Sequence, residues 1–126
     1  MSSRRTSARV APAPPGRGSV PPVPVPEITV EQLAPLVEQG AVVVDVRNPD
    51  EYAEARVPGV QLIPLPEFEV RHTEIPAADV VYVICRSGAR SRTACEFLEA
   101  GGRSAVNVAG GTLAWIESGR SVESGA

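Results

Sequence analysis

Short apolar runs alternate with helix-like stretches along residues 27–120. Residues 41–46 and 80–84 are apolar runs dominated by valine, which is typical of strands that are buried on both faces. Residues 60–63 and 104–108 are predicted to be two further short strands. Because strands alternate with helices, the pattern predicts an α/β domain built on a parallel sheet.

Several predicted helices have recognisable ends. Thr29 and Gln32 form a capping-box pattern at the start of a helix over residues 30–39, and Gly40 ends that helix. After the strand at 80–84, Ser91 is predicted to cap the next helix. These signals divide the chain into elements of ordinary length for a small domain.

The two ends of the chain lack this periodicity. Residues 1–26 are rich in Pro, Ser, Ala and Arg, and we expect a disordered tail that has no secretory signal. The domain is expected over residues 27–120, and residues 121–126 are expected to be a flexible C-terminal tail. A length of 126 residues suits one domain with one core.

Charge is unevenly distributed along the chain. Residues 1–26 hold four arginines and no acid, so the remaining hundred residues hold 8 arginines against 15 acids, a net charge of −7. Within that acidic body, Arg86, Arg90 and Arg92 form a local positive site that suits one small anion. We expect no nucleic-acid partner, which would need a broader basic face, and no membrane partner, because no apolar run approaches spanning length.

The chain has two cysteines and a single histidine. Two cysteines do not suggest a disulfide framework and suit a reducing compartment, so we expect a cytoplasmic protein. Cys95 falls on the apolar side of a predicted helix and is expected to pack in the core. His72 has polar neighbours and is expected to be solvated in a loop. No metal-ligand cluster, nucleotide-binding glycine motif or flavin signature is present in the sequence, so we expect no cofactor.

Cys85 lies where a strand ends and a helix begins. An ordinary cysteine has a pKa of about 8.5, and making it mostly thiolate at neutral pH needs roughly 2.7 kcal/mol. A helix N-terminus supplies at best about 2 kcal/mol, so direct hydrogen bonds and nearby cations must supply the rest. The loop after the cysteine is small or cationic and contains no acid, which predicts an anion-binding cradle around a sulfur nucleophile. Its residues are Arg86, Ser87, Gly88, Ala89, Arg90 and Ser91.

Three blocks of sequence together resemble the rhodanese family of single-domain sulfurtransferases over residues 27–120. They are Asp-Val-Arg-Asn-Pro-Asp-Glu-Tyr at 45–52, the Cys-Arg-Ser-Gly-Ala-Arg-Ser loop at 85–91, and the closing Asn-Val-Ala-Gly-Gly-x-x-Ala-Trp block at 107–115. The resemblance implies a single domain with a central parallel sheet of about five strands, flanked by helices on both faces.

The resemblance also implies a persulfide mechanism. Cys85 would take the outer sulfur of a small anionic donor such as thiosulfate, and cyanide, a thiol or a protein would then accept it. The amides of residues 86–91 would hold the persulfide anion, and Arg86 or Arg90 would bind the sulfonate end of the donor. A protein is an expected alternative donor or acceptor.

Other parts of the resemblance concern supporting residues. Asp45 and Arg47 should lie near the pocket, where we expect a buried structural ion pair rather than a catalytic role. The chain departs from the family at Arg56, where the family often has a histidine in a Gly-His-Ile-Pro-Gly-Ala turn. The local electrostatics of that turn must therefore differ.

Two other functions stay open at the level of sequence. A cysteine-dependent phosphatase or arsenate reductase also uses a thiolate in an anion-binding loop, but it needs an arginine six positions after the cysteine, where this chain has Ser91. A non-catalytic binding module would share the same fold. A sulfur relay between proteins and the turnover of thiosulfate need the same loop, so both remain open.

Overall fold

The computed structural model of the protein describes residues 25–125. Within this range the strands are β1 (Glu27–Ile28), β2 (Val43–Asp45), β3 (Gln61–Leu62), β4 (Val81–Ile84) and β5 (Ala105–Val108). The α-helices are α1 (Val30–Glu38), α2 (Pro49–Glu54), α3 (Phe68–Arg71), α4 (Ala89–Ala100) and α5 (Gly111–Glu117). Short 3₁₀ helices over Leu65–Glu67 and His72–Glu74 flank α3. The predicted tail over residues 1–26 falls almost wholly outside the described residues.

The five strands form one sheet in the order β1-β5-β4-β2-β3, and every neighbouring pair is parallel. The prediction of an α/β domain with about five parallel strands is therefore confirmed. Strand β4 is central, with Val83 opposite Val44 of β2 and opposite Asn107 of β5. Because the carboxyl ends of parallel strands share one edge, Cys85 lies at the middle of the edge where ligands bind in such folds.

Helices cover both faces of the sheet, as predicted. On one face, Val44 and Val83 belong to a buried cluster with Leu98 of α4 and Phe68 of α3. On the other face, a second cluster joins alternate strand residues to Leu33 of α1 and Trp115 of α5. Cys85 belongs to the first cluster. The loop after β4 is thus supported by a packed core.

Helix α1 begins as predicted. The Thr29 hydroxyl accepts a hydrogen bond from the amide of Gln32 at 3.2 Å, and the Thr29 amide donates to the Gln32 side chain at 2.9 Å. This reciprocal pair satisfies two of the amides that a helix N-terminus leaves free. The expected capping box is confirmed.

Helix α4 begins earlier than predicted. Gly88 is its N-cap, with a φ of 119°, and Ser91 is the third residue of the helix rather than its cap. The prediction that Ser91 caps the helix is wrong, because the loop must turn sharply at residue 88 to aim its amides at the sulfur, and glycine adopts a positive φ at little cost. The Ser91 side chain is thereby free to contact Cys85.

Two further segments differ from their expected environments. His72 lies in a 3₁₀ helix, half-buried, with its ring edge-on to Phe97 at 5.1 Å between centroids. Residues beyond 120 stay against the domain: the amides and carbonyls of Arg56 and Glu123 exchange hydrogen bonds of 2.9 Å, and the Gly125 amide donates to Ala53 at 2.7 Å.

Among the described residues, none of the helices is both long and apolar enough to cross a bilayer.

Candidate active site

The sulfur of Cys85 lies just below the surface and is surrounded by hydrogen-bond donors. The residue is 1 % exposed. The amide of Gly88 donates to the sulfur at 3.0 Å, and the Ser91 hydroxyl oxygen lies 3.3 Å from it. The side chain is therefore out of contact with bulk water but not with polar partners, which is the arrangement that a buried anion requires.

These donors control the ionisation of the thiol. Burial raises the pKa of Cys85, but hydrogen bonds from the Ser91 hydroxyl and from the amides of Ser91, Gly88 and Ser87 outweigh it and hold the pKa below its ordinary value. Cys95 is the internal comparison. Burial, with a contribution from the charge of Glu99, raises its pKa to about 12. The Cys85 thiol therefore ionises more readily than an ordinary cysteine, whereas the Cys95 thiol in the same core cluster does not.

The first turn of α5 anchors the backbone of the loop. The amides of Thr112 and Leu113 donate to the carbonyls of Cys85 and Arg86 at 2.8 and 3.1 Å, and the Thr112 hydroxyl donates to the Cys85 carbonyl at 3.0 Å. Gly111 makes this approach feasible: a Cβ atom there would lie 2.5 Å from both carbonyl oxygens. The lack of a side chain at Gly111 therefore allows α5 to approach the loop and hold the backbone of Cys85 in place.

The two loop arginines have different environments. Both terminal nitrogens of Arg90 donate to the carboxylate of Glu51, each at 2.9 Å, and this contact lowers the pKa of Glu51 to about 2. Arg86 is exposed and, within residues 25–125, has no carboxylate within 4.0 Å. Arg86 therefore supplies an unneutralised positive charge beside the loop, whereas Arg90 ties α4 to α2.

A small pocket of about 70 Å³ lies beside this loop. Arg86 and Arg47 line it together with the carboxylates of Glu51 and Glu54, and Leu113 and Ile116 of α5 contribute an apolar wall that is partly exposed. The volume suits a molecule of a few heavy atoms. The described residues contain no group of three or more His, Cys, Asp or Glu side chains that could hold a metal ion.

Asp45 and Arg47 form a buried ion pair at the end of β2. The Arg47 terminal nitrogen donates to the Asp45 carboxylate at 2.8 Å and to the Ala55 carbonyl at 2.8 Å. Both residues are nearly inaccessible to solvent. The pair fixes the connection between β2 and α2, while the guanidinium also reaches the pocket wall.

Two residues that the sequence did not single out complete the site. Asn107 of β5 is buried and contacts both Ser91 and Gly88, and Glu51 neutralises Arg90. Each lies within one of the three sequence blocks noted above, which is the only signal the sequence offers. Their contacts span 16 and 39 positions along the chain, so local pattern could not reveal them.

Fold and loop together define a class: a parallel α/β domain with one activated cysteine in a short anion-binding loop at the sheet edge. A family model described as a rhodanese-like domain matches residues 29–118. The chain belongs to the rhodanese-like domain family.

Two curated relatives and one solved structure illustrate the similarity. A sulfurtransferase from Allochromatium vinosum is 37 % identical over 98 residues, which cover 75 % of this chain and 92 % of that protein. The putative sulfur carrier protein YrkF from Bacillus subtilis is 37 % identical over 94 residues; these cover 72 % of this chain but only about half, 51 %, of that protein. A rhodanese-related protein from Thermoplasma volcanium superposes with a TM-score of 0.72 at 32 % identity, covering 77 % of this chain and 96 % of that structure.

Proposed function

We propose that this protein moves a sulfane sulfur from thiosulfate, or from a protein persulfide, to a thiophilic acceptor through a persulfide on Cys85. The observation that carries the proposal is a nearly buried thiol whose pKa is held low by hydrogen bonds from three loop amides and one hydroxyl. Relatives named sulfurtransferase and sulfur carrier protein support a general role in sulfur transfer.

The first half-reaction uses the thiolate of Cys85 as nucleophile. It attacks the outer sulfur of thiosulfate, the new Cys–S–S bond forms, and the S–S bond of thiosulfate breaks with its electron pair leaving on sulfite. Arg86 would attract the dianionic donor and its leaving group, because among residues 25–125 it forms no ion pair within 4.0 Å. The pair formed by Arg90 and Glu51 holds the first turn of α4 in place.

The second half-reaction returns the enzyme to its starting state. An acceptor thiolate or cyanide attacks the outer sulfur, and Cys85 leaves as a thiolate stabilised by the amides of Gly88 and its neighbours. Both protein thiols are free, which suits the reducing conditions of a cytoplasmic enzyme.

Intact-mass measurement tests the proposal most directly. After incubation with thiosulfate we expect one added sulfur, about 32 Da, on the wild-type chain and on Cys95→Ser, but not on Cys85→Ser. Subsequent cyanide should remove the mass and produce thiocyanate. If neither thiosulfate nor a low-molecular-weight persulfide adds sulfur to the folded wild-type chain, the proposed function is wrong.

A phosphatase is disfavoured by the residue at position 91. That position carries a buried serine whose hydroxyl faces the sulfur. The phosphatase mechanism instead needs an arginine at that position to bind the three oxygens of the oxyanion. We therefore expect no hydrolysis of an aryl phosphate above the level of Cys85→Ser. Hydrolysis that depends on Cys85, without sulfur loading, would reverse the assignment.

A further inference from the structure

Asn107 lies behind the candidate nucleophile and contacts three different elements. It is 1 % exposed and is located on β5, next to the central strand. Its side-chain nitrogen donates to the Glu27 carboxylate at 2.9 Å and to the Gly88 carbonyl at 3.1 Å. Its side-chain oxygen lies 2.5 Å from the Ser91 hydroxyl oxygen. Two residues that contact the Cys85 sulfur are thus held by one amide.

The orientation of the Asn107 amide follows from these partners. A carboxylate and a carbonyl can only accept hydrogen bonds, so the NH₂ group must face Glu27 and Gly88. The amide oxygen therefore faces Ser91 and needs a donor. The Ser91 hydroxyl is the group in contact with that oxygen.

A hydroxyl has one proton, and here two acceptors compete for it. The Ser91 oxygen lies 2.5 Å from the Asn107 oxygen and 3.3 Å from the Cys85 sulfur. A neutral thiol can donate its own S–H to the Ser91 oxygen, and the Ser91 hydroxyl then donates to the Asn107 oxygen. A thiolate has no proton and can only accept, so the Ser91 hydroxyl donates to the sulfur instead. Ionisation of the sulfur therefore removes the only donor to the Asn107 oxygen that these contacts provide.

We propose that Asn107 is a positioning residue that holds the Ser91 hydroxyl proton away from Cys85 while the sulfur is neutral and yields it when the sulfur becomes charged. No covalent bond is made or broken, because the hydroxyl only rotates. Asn107 thereby opposes ionisation of the sulfur through Ser91. This inference rests on the proposed role of Cys85 as the sulfur nucleophile.

Other charged groups surround the sulfur and enter the same equilibrium. Arg90 on α4 interacts with the Cys85 charge, and Asp45 on β2 interacts with Arg90. Cys95, one turn after Ser91 on α4, stays neutral over the working range, since its pKa is about 12. Glu27 on β1 acts through Asn107. Arg86 precedes Ser87 in the loop itself. The variants that test the proposal substitute none of these side chains.

Thiolate absorbance near 240 nm provides that test when each spectrum is compared with the same chain carrying Cys85→Ala. We expect Asn107→Leu to lower the pKa of Cys85 by about one unit, because the Ser91 proton is then available to the sulfur throughout. Ser91→Ala should raise it. In the Ser91→Ala background, Asn107→Leu should have no further effect. A rise with Asn107→Leu, or the same shift in both backgrounds, would overturn the proposal.

A second measurement needs no change at Asn107 and so does not depend on the folding of that variant. In the wild-type chain the side-chain amide NMR signals of Asn107 should shift with the same midpoint as the Cys85 absorbance. The shift should vanish in Ser91→Ala and in Cys85→Ala. If the chemical shifts of the Asn107 amide do not change as the sulfur ionises, the proposed coupling is wrong.

These titrations use no sulfur donor, so they separate the two proposals. A chain that loads no sulfur but shows the coupled titration refutes the proposed function and leaves the hydrogen-bond coupling in place. A chain that loads sulfur from thiosulfate but shows no coupling refutes only the role of Asn107.

Discussion

At the scale of single residues, the two cysteines show how surroundings decide chemistry. Cys85 and Cys95 belong to the same buried cluster, and both are almost inaccessible to solvent. Burial raises the pKa of both, but only Cys85 has amides and a hydroxyl directed at its sulfur. Exposure alone would not have distinguished the proposed nucleophile from the packing residue.

The first prediction concerns pH. Because hydrogen bonds to the sulfur hold the pKa of Cys85 below its ordinary value, the rate of sulfur loading from thiosulfate should stay near its maximum where an ordinary cysteine would already be protonated. The rate should fall only as the pH drops through the lowered pKa. Stopped-flow or quenched mass measurements across the pH range give the midpoint. Cys95→Ser should have the same midpoint, whereas a wild-type midpoint at or above that of an ordinary cysteine, about 8.5, would contradict the prediction.

The second prediction separates the loop arginines. Arg86→Ala should raise the KM for thiosulfate by about 10-fold or more, since it removes an exposed charge that forms no ion pair within the part of the chain that the structure describes. Arg90→Ala should instead lower the free energy of unfolding, because Glu51 is left without its partner. Steady-state kinetics and urea denaturation measure the two effects. Arg71→Ala, which breaks two exposed ion pairs between α3 and the flanking 3₁₀ helices, is the control and should change neither KM nor kcat. Equal KM values for Arg86→Ala and wild type would show that the donor binds elsewhere.

At the scale of elements, the first turn of α5 determines the position of the loop. Its amides hold two consecutive loop carbonyls, so the direction in which the amides of the same loop point depends on a helix that carries none of the proposed chemistry. This dependence explains why the Gly-Gly block accompanies the cysteine loop in the sequence. It also makes Gly111 the residue at which this dependence can be tested.

The third prediction is that Gly111→Ala destabilises the fold by at least about 3 kcal/mol and reduces sulfur loading. A methyl group there would collide with the carbonyl oxygens of Cys85 and Arg86, in addition to the cost of a positive φ. Gly102→Ala is the matched control, because Gly102 also has a positive φ but nothing within 4 Å. It should cost about 1–2 kcal/mol and leave loading intact. Similar urea midpoints for the two variants would show that the close contact of Gly111 with the loop carbonyls does not contribute to stability.

At the scale of the whole molecule, Arg56 joins the C-terminal segment to the domain. Its guanidinium stacks on the Tyr52 ring at 4.2 Å and donates to the Gly125 carbonyl at 2.7 Å, while its backbone pairs with Glu123. Arg56 therefore holds Glu123 and Gly125 against the end of α2. This contact joins parts of the chain that are 69 positions apart.

The fourth prediction is that ending the chain after Ser121 lowers the free energy of unfolding by about 2 kcal/mol, because several backbone hydrogen bonds are lost. Arg56→His should destabilise the full chain but have a smaller effect in the shortened one, since its partners are then absent. Urea denaturation of the four chains gives the coupling. Arg71→Ala should have the same effect in both lengths. An Arg56→His effect that is independent of chain length would show that Arg56 acts only within its own turn.

The success of sequence reasoning follows the range of the interactions. Strands and helices were predicted correctly where periodicity and caps are local, as at the Thr29 capping box and the valine-rich strand β2. Ser91 was misassigned because the sequence shows a good capping residue but not that Gly88 takes the positive φ needed there. Asn107 and Glu51 act across strands and helices that meet only in three dimensions, so their partners could not be deduced from spacing.

Burial of the Cys85 sulfur would make the empty and persulfide forms of the proposed enzyme differ at the surface. An S–S bond is about 2 Å long, so the outer sulfur of the proposed persulfide would lie up to that much farther from the buried cluster. A bulky acceptor that cannot reach the thiolate can then reach the outer atom. A bulky thiol-alkylating reagent should therefore modify loaded molecules faster than unloaded ones.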